Sequence, residues 1–241
     1  MAAALILSTA VGIRADDART LFREEFVTLD AWEPLEFPGI GAHTRYSIEE
    51  LGGGESCLRA ESDKSASGMV WKGTFDPYRH PRLAWRWKVG NVYRNGDALS
   101  KSGDDYPMRV YVMFRYDPDD PAVRRSLKHS LARILYGRYP PYTTLTYIWA
   151  SRDHGRRYLV NTYSDRALMV PLRWGGEKVG QWVLESVDIL ADYRAAFGED
   201  PPGQAGLGIM NDSDNTGESS VSWIDWMEIS SGGEDPAAVE E

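Results

Sequence analysis

Two short segments alternate charged and apolar residues. In Leu83–Val89, LAWRWKV, Arg86 and Lys88 fall on the parity opposite Leu83, Trp85, Trp87 and Val89. In Met108–Phe114, MRVYVMF, Arg109 and Tyr111 fall opposite Met108, Val110, Val112 and Phe114. A period of two is that of a half-buried strand. Asp97, Lys101, Asp104 and Asp105 lie between the two segments. If the strands pair, Arg86, Lys88, Arg109 and Tyr111 line one sheet face beside an acidic rim. Such a face suits an anionic or polyhydroxylated ligand, because Arg offers a planar fork and Lys a point charge. The same residues also read as cross-strand ion pairs on a solvated face, with Arg109 joined to Asp104 or Asp105.

A second cluster is Asn211–Gly217, NDSDNTG. Closely spaced side-chain oxygens before a glycine turn can wrap a hard cation such as calcium. The helix-loop-helix calcium pattern fails, since its twelfth position is Trp223 and strands flank the run. A sandwich-type structural calcium site on Asp212, Asp214 and Asp225 remains, against an Asx-rich hairpin turn bonded to its own backbone. The nine tryptophans add stacking area for sugar rings. Trp85 and Trp87 share parity with Leu83 and Val89 and belong to the core, whereas Trp149 and Trp226 are the expected exposed platforms. Trp223 and Trp226 have opposite parity, so at most one of them can be in the core if the strand has no bulge. The sequence has no Gly-x-Ser-x-Gly elbow, Walker loop, dinucleotide glycine fingerprint or His-Glu-x-x-His. Its four histidines are scattered, and Cys57 reads as a buried small hydrophobe.

The elements that must position these residues are mostly strands. Thr144–Ala150, Tyr158–Tyr163, Leu207–Met210 and Val221–Ile229 join the two segments above, separated by Gly, Pro and Asp clusters. The class is all-β, an antiparallel two-sheet sandwich with one or two short helical insertions. One insertion is Ala122–Tyr136, with Val123, Leu127, Leu131, Ile134 and Leu135 at helical spacing, which reads as a lid, a cap or a membrane contact. The other is Asp188–Phe197, ended by Gly198. The apolar run Ala2–Val11 is about half the length of a membrane span and fits a secretory signal peptide over residues 1–15. One domain over 20–230 and a disordered acidic tail over 231–241 follow. The net charge of -9 argues against nucleic acid as partner. A single cysteine excludes an intrachain disulfide and is at ease outside the cytoplasm.

Five segments in order, WRWKV at Trp85–Val89, GDDYPMRVYVMF at Gly103–Phe114, YIWA at Tyr147–Ala150, ADYRAAFGEDPP at Ala191–Pro202 and GIMNDSDNTG at Gly208–Gly217, resemble a bacterial family, domain of unknown function 3047. The likeness spans roughly Phe22–Ile229. It implies an exported bacterial β-sandwich and no known activity. With the N-terminal run too short to span a bilayer, a periplasmic or secreted protein with no transmembrane anchor is expected. The late DSDNTG-then-strand pattern also looks like carbohydrate-binding jelly rolls. The expectation is a jelly-roll-like, non-catalytic module that binds a glycan or anionic envelope polymer through Arg86, Lys88, Lys101, Asp104, Asp105, Arg109, Tyr111 and Trp149. An envelope polysaccharide lyase or hydrolase and a structural envelope protein are the alternatives. Oligomeric state is open.

Overall fold

The computed structural model describes residues 20–115 and 143–231. In chain order the strands are β1 Thr20–Glu24, β2 Trp32–Leu35, β3 Arg45–Gly52, β4 Glu55–Asp63, β5 Ala66–Trp71, β6 Arg82–Val89 and β7 Arg109–Arg115. They continue with β8 Thr143–Ala150, β9 Leu159–Asn161, β10 Ser164–Trp174, β11 Val183–Asp188, then helix α1 Ile189–Phe197, and finally β12 Gln204–Asp212 and β13 Ser219–Ser230. The expected helix over 122–136, the leader over 1–15 and the acidic tail beyond Ser231 lie outside the described residues. Among the described residues no helix is long and apolar enough to cross a membrane.

The strands form two sheets. One has the order β11-β6-β13-β4-β3, with β1 also paired to β13; the other runs β2-β5-β12-β7-β8-β10-β9. Pairing is antiparallel except between β10 and β8, which run parallel. The expectation of an all-β, jelly-roll-like sandwich holds, with that one parallel pair as the departure. The apolar faces that alternation places on one side of each strand meet between the sheets. Leu83, Trp85, Trp87 and Val89 of β6 pack in one core with Val110 and Val112 of β7 and Leu145, Tyr147 and Trp149 of β8. The core is aromatic where β6 crosses β8: Trp85 lies 5.5 Å from Tyr147 and Trp87 lies 5.7 Å from Trp149, ring centre to centre. Fully burying one large apolar side chain stabilises by roughly 1.5–3 kcal/mol, so this layer is a principal anchor between the sheets.

Two local features set the outer faces. In β13, Ile224 pairs with Trp87 and Trp226 with Arg86, which leaves Asp225 as the extra residue of a β-bulge. The bulge resets parity, so Trp223, Asp225 and Trp226 all stay on the solvent side while Ile224 and Met227 are buried. Helix α1 is closed at both ends. Asp188 accepts a bond from the Ala191 amide at 2.9 Å, and Gly198 takes the left-handed conformation, φ 73°, donating to the Arg194 carbonyl.

Candidate functional site

The structure separates the residues that alternation suggested were neighbours. β6 and β7 belong to different sheets, so their apolar faces meet through the core and their polar faces point in opposite directions. Arg86 and Lys88 reach the outer face of the six-stranded sheet. Arg109 and Tyr111 reach the outer face of the seven-stranded one. Trp149 is corrected outright: β8 lies between β7 and β10, and the indole is 0% exposed, donating from Nε1 to the Gly175 carbonyl at 3.2 Å. It is core, not a platform.

On the seven-stranded side, two sequence motifs converge. Arg109 of β7 bonds Asp212 of β12, and the Tyr106 amide donates to the same carboxylate at 3.2 Å. Asp104 accepts from the Tyr106 hydroxyl at 3.0 Å and from Asn161 at 3.2 Å. Asp105 accepts from the Asn215 amide and side chain and, at 2.6 Å, from the Thr216 amide, fixing the turn after β12. Asp104, Asp105, Arg109 and Asp212 are all buried. Burial pushes the Asp104 carboxyl up against the pull of Arg109, and it pushes Asp212 the same way, helped by Asp105 and Asp104. Only the rim meets solvent: exposed Lys101 lies over the ring of exposed Tyr163, whose hydroxyl donates to Asn215 at 2.8 Å.

The expected metal set changes here. Asp225 lies on the other sheet, bonded to Arg86 at 2.9 Å. Asp105 takes its place beside Asp212 and Asp214, with one oxygen from each of the three within 4.8 Å of the others. A calcium shell needs six to eight oxygens around the ion. Arg109 already faces Asp212, and three N–H groups already serve Asp105. The donor set therefore fits a resident cation poorly.

On the six-stranded side, the outer face alternates rings and cations. Lys88 Nζ lies 4.2 Å from the Trp223 ring and 4.7 Å from the Trp182 ring. Arg86 sits 5.3 Å from Trp182, and Arg23 4.0 Å from Trp226. Arg23 is exposed, and the other side chains of this row are half-buried. Register explains the order: Trp223 opposes Lys88 on one side and Arg59 on the other, while Val183 opposes Trp87 and so puts Trp182 beside Lys88. The carboxylates here are paired with arginines. Asp225 meets Arg86, Glu49 meets Arg59, and Glu61 meets both Arg59 and Arg45, which hold its carboxyl below the usual range. Cys57 lies under this layer, 0% exposed, its thiol pushed up to about 11 by burial and by Glu49. Sequence reasoning missed Trp182 as a partner of Lys88. Its parity, opposite to that of Val187, was the available signal. Trp223 was hidden by the bulge, which nothing in the alternation announces.

No curated protein matches this sequence. Among solved structures the chain is similar to a family 11 carbohydrate-binding module of a cellulosomal cellulase of Clostridium thermocellum, at 9% identity and TM-score 0.41, over 88% of this chain and 93% of that one. It is similar to the K3 cleaved adhesin domain of Lys-gingipain from Porphyromonas gingivalis at 11% identity and TM-score 0.40, over 88% and 99%. It is also similar to the winged bean acidic lectin at 11% identity and TM-score 0.38, over 83% and 98%. A family model described as a protein of unknown function, DUF3047, matches residues 30–228. That span takes in nearly the whole sandwich, including the two motifs that meet at Arg109 and Asp212, and the chain belongs to the DUF3047 family.

Proposed function

We propose that this protein is an exported, non-catalytic binding module for a carbohydrate or other envelope polymer, and that the polymer lies on the outer face of the six-stranded sheet. The observation that carries this reading is Lys88 held between the half-exposed rings of Trp182 and Trp223. An indole matches the apolar CH face of a pyranose, and the adjacent cations supply donors for its oxygens. Glu61 on this face does not suit the role of a general acid. Glu61 is held ionised by two arginines, and an ionised carboxylate has no proton to give a leaving group. Export is proposed from the apolar N-terminal run and the single cysteine.

The buried Arg109–Asp212 network favours a second reading for the other face. Its charged groups are enclosed, Arg109 bonded to Asp212 and the other carboxylates to hydroxyl and amide donors, so we assign it the structural task of joining β7 to the turn after β12. The test of the main reading is affinity electrophoresis of the full chain through gels containing soluble neutral and acidic polysaccharides. Retarded migration in at least one gel is expected, lost on Trp182→Ala and Trp223→Ala. Unretarded migration in every gel sinks the reading. Release of reducing ends from a retained polymer would replace the binder by an enzyme.

A further inference from the structure

Resting on that binding face, we infer that its ligand is an acidic polysaccharide, with a carboxylate on Lys88 Nζ and sugar rings on Trp182 and Trp223. The charge inventory of the face points there. Arg86 has Asp225, Arg59 has Glu49 and Glu61, Arg45 has Glu61, and Arg23 has Glu25 and Glu228. Among the described residues no carboxylate lies within ion-pairing distance of Lys88, whose neighbours are the two indoles. Of the described cations that lie over rings on this face, Lys88 is the one without an anion, and what is missing beside it is negative; Arg82, at the start of the same strand, has no ion pair either but lies over no ring.

The exchange is favourable in kind. A half-exposed cation over a ring is held only weakly. A charge-assisted bond to a carboxylate is shorter and about twice as strong as a neutral one. A ligand carboxylate would draw Nζ off the ring and clear the indole for a sugar. Ring, cation and ring follow one another across three adjacent strand positions, so the two indoles stand roughly 10 Å apart with Lys88 midway. A polymer crossing the strands meets them in that order.

The same inventory selects the density of charge. Asp225, Glu61 and Glu49 stand on β13, β4 and β3, all on the Trp223 side of Lys88, so a polymer bearing a charge at every backbone unit without rings would meet repulsion there. Sugar rings that carry one carboxylate each fit the alternation; a bare polyanion does not.

The experiment is titration calorimetry of the full chain with polygalacturonate, alginate and hyaluronate, a methyl-esterified twin of each, neutral mixed-linkage glucan and polyaspartate. At least one acidic polysaccharide should bind. Esterification and Lys88→Met should each weaken it by about tenfold or more, while Lys88→Arg retains most of the affinity. Trp223→Leu should weaken it too, and thermal melts check that each variant is folded. Equal binding of acid and ester, or neutral glucan alone, overturns the acidic class and leaves the binding face standing. Equal binding of polyaspartate overturns it as well, since charge without rings would then suffice. No binding of any polysaccharide overturns the face itself. If Lys88→Met and Trp223→Leu are folded and bind as the parent does, the site is elsewhere and the inference fails.

Discussion

At Asp214 the environment disfavours charge. Burial and the neighbouring Asp105 push the carboxyl up, and its own backbone amide and Arg109 only partly offset them. A carboxyl whose folded value is raised binds its proton more tightly in the native state than in the unfolded chain. Its stabilising contribution is complete below the unfolded value of about 4 and is lost as pH rises through the folded value. Asp214→Asn removes that loss. The variant should melt about 1–2 °C above the parent at neutral pH, the half-exposed position screening the effect, and the gap should close as pH approaches 4. A gap that widens on acidification would show that Asp214 is stabilised as an anion. Calcium offers the cluster another route to neutrality, but Arg109 and the turn amides occupy the donors first. Millimolar calcium or EDTA should therefore move the melting temperature by less than about 1 °C. A larger rise with calcium, abolished in Asp214→Asn, would make the three carboxylates a metal site after all.

Among the elements, β13 decides how much aromatic surface the molecule shows. Its bulge at Asp225 keeps both Trp223 and Trp226 outside while Met227 and Ile229 return to the core. Deleting Asp225 removes the extra residue and leaves plain alternation, with Ile224, Met227 and Ile229 inward and Trp223 and Trp226 outward in the pairing the bulge already sets, at a cost of about 1 kcal/mol or less for the lost ion pair. One residue inserted after Trp226 would instead turn Met227 and Ile229 toward solvent, and two buried side chains lost in this way cost about 3 kcal/mol or more, enough to abolish cooperative folding or lower the urea midpoint sharply. Asp225→Ala keeps the extra residue and loses one half-exposed ion pair, a cost of about 1 kcal/mol or less. Deletion and substitution should therefore give similar urea midpoints, and a deletion that falls as far as the insertion would mean that Asp225 is not the extra residue of the strand. The contrast also marks what is legible locally. The strict alternation of β6 names its buried face from residue types alone, and Asp188 and Gly198 bound α1 because caps are local chemistry. A bulge depends on which partner residue each position finds, and Asp225 looks like any other strand residue in the sequence.

At the scale of the whole molecule, pairing is non-local: β13 bonds β1, β4 and β6, and β12 bonds β5 and β7. Proximity in sequence therefore misled where β6 and β7 were concerned, and so did the choice of Trp149, whose side depends on which strands flank β8. The convergence of Asp105 with Asp212 was half visible, as two motifs rich in aspartate whose meeting only the topology supplies. The sandwich thus carries an enclosed charge network on one side and a ring-and-cation row on the other, in a chain of net charge -9. That combination has a consequence for salt. At long range the protein repels an acidic polymer; at contact Lys88 attracts one carboxylate. The screening length falls from about 10 Å at 0.1 M salt to about 3 Å at 1 M, so added salt weakens both effects together. Affinity for an acidic polysaccharide should change by less than about tenfold between 0.05 and 0.5 M sodium chloride, because a single contact charge leaves a shallow slope. In Lys88→Met only the repulsion remains, and the residual binding should strengthen with salt. A thousandfold loss in the parent over the same range would instead mean that many cations engage the polymer at once, as in non-specific polyelectrolyte binding, and the ring-and-cation row would lose its claim to the ligand.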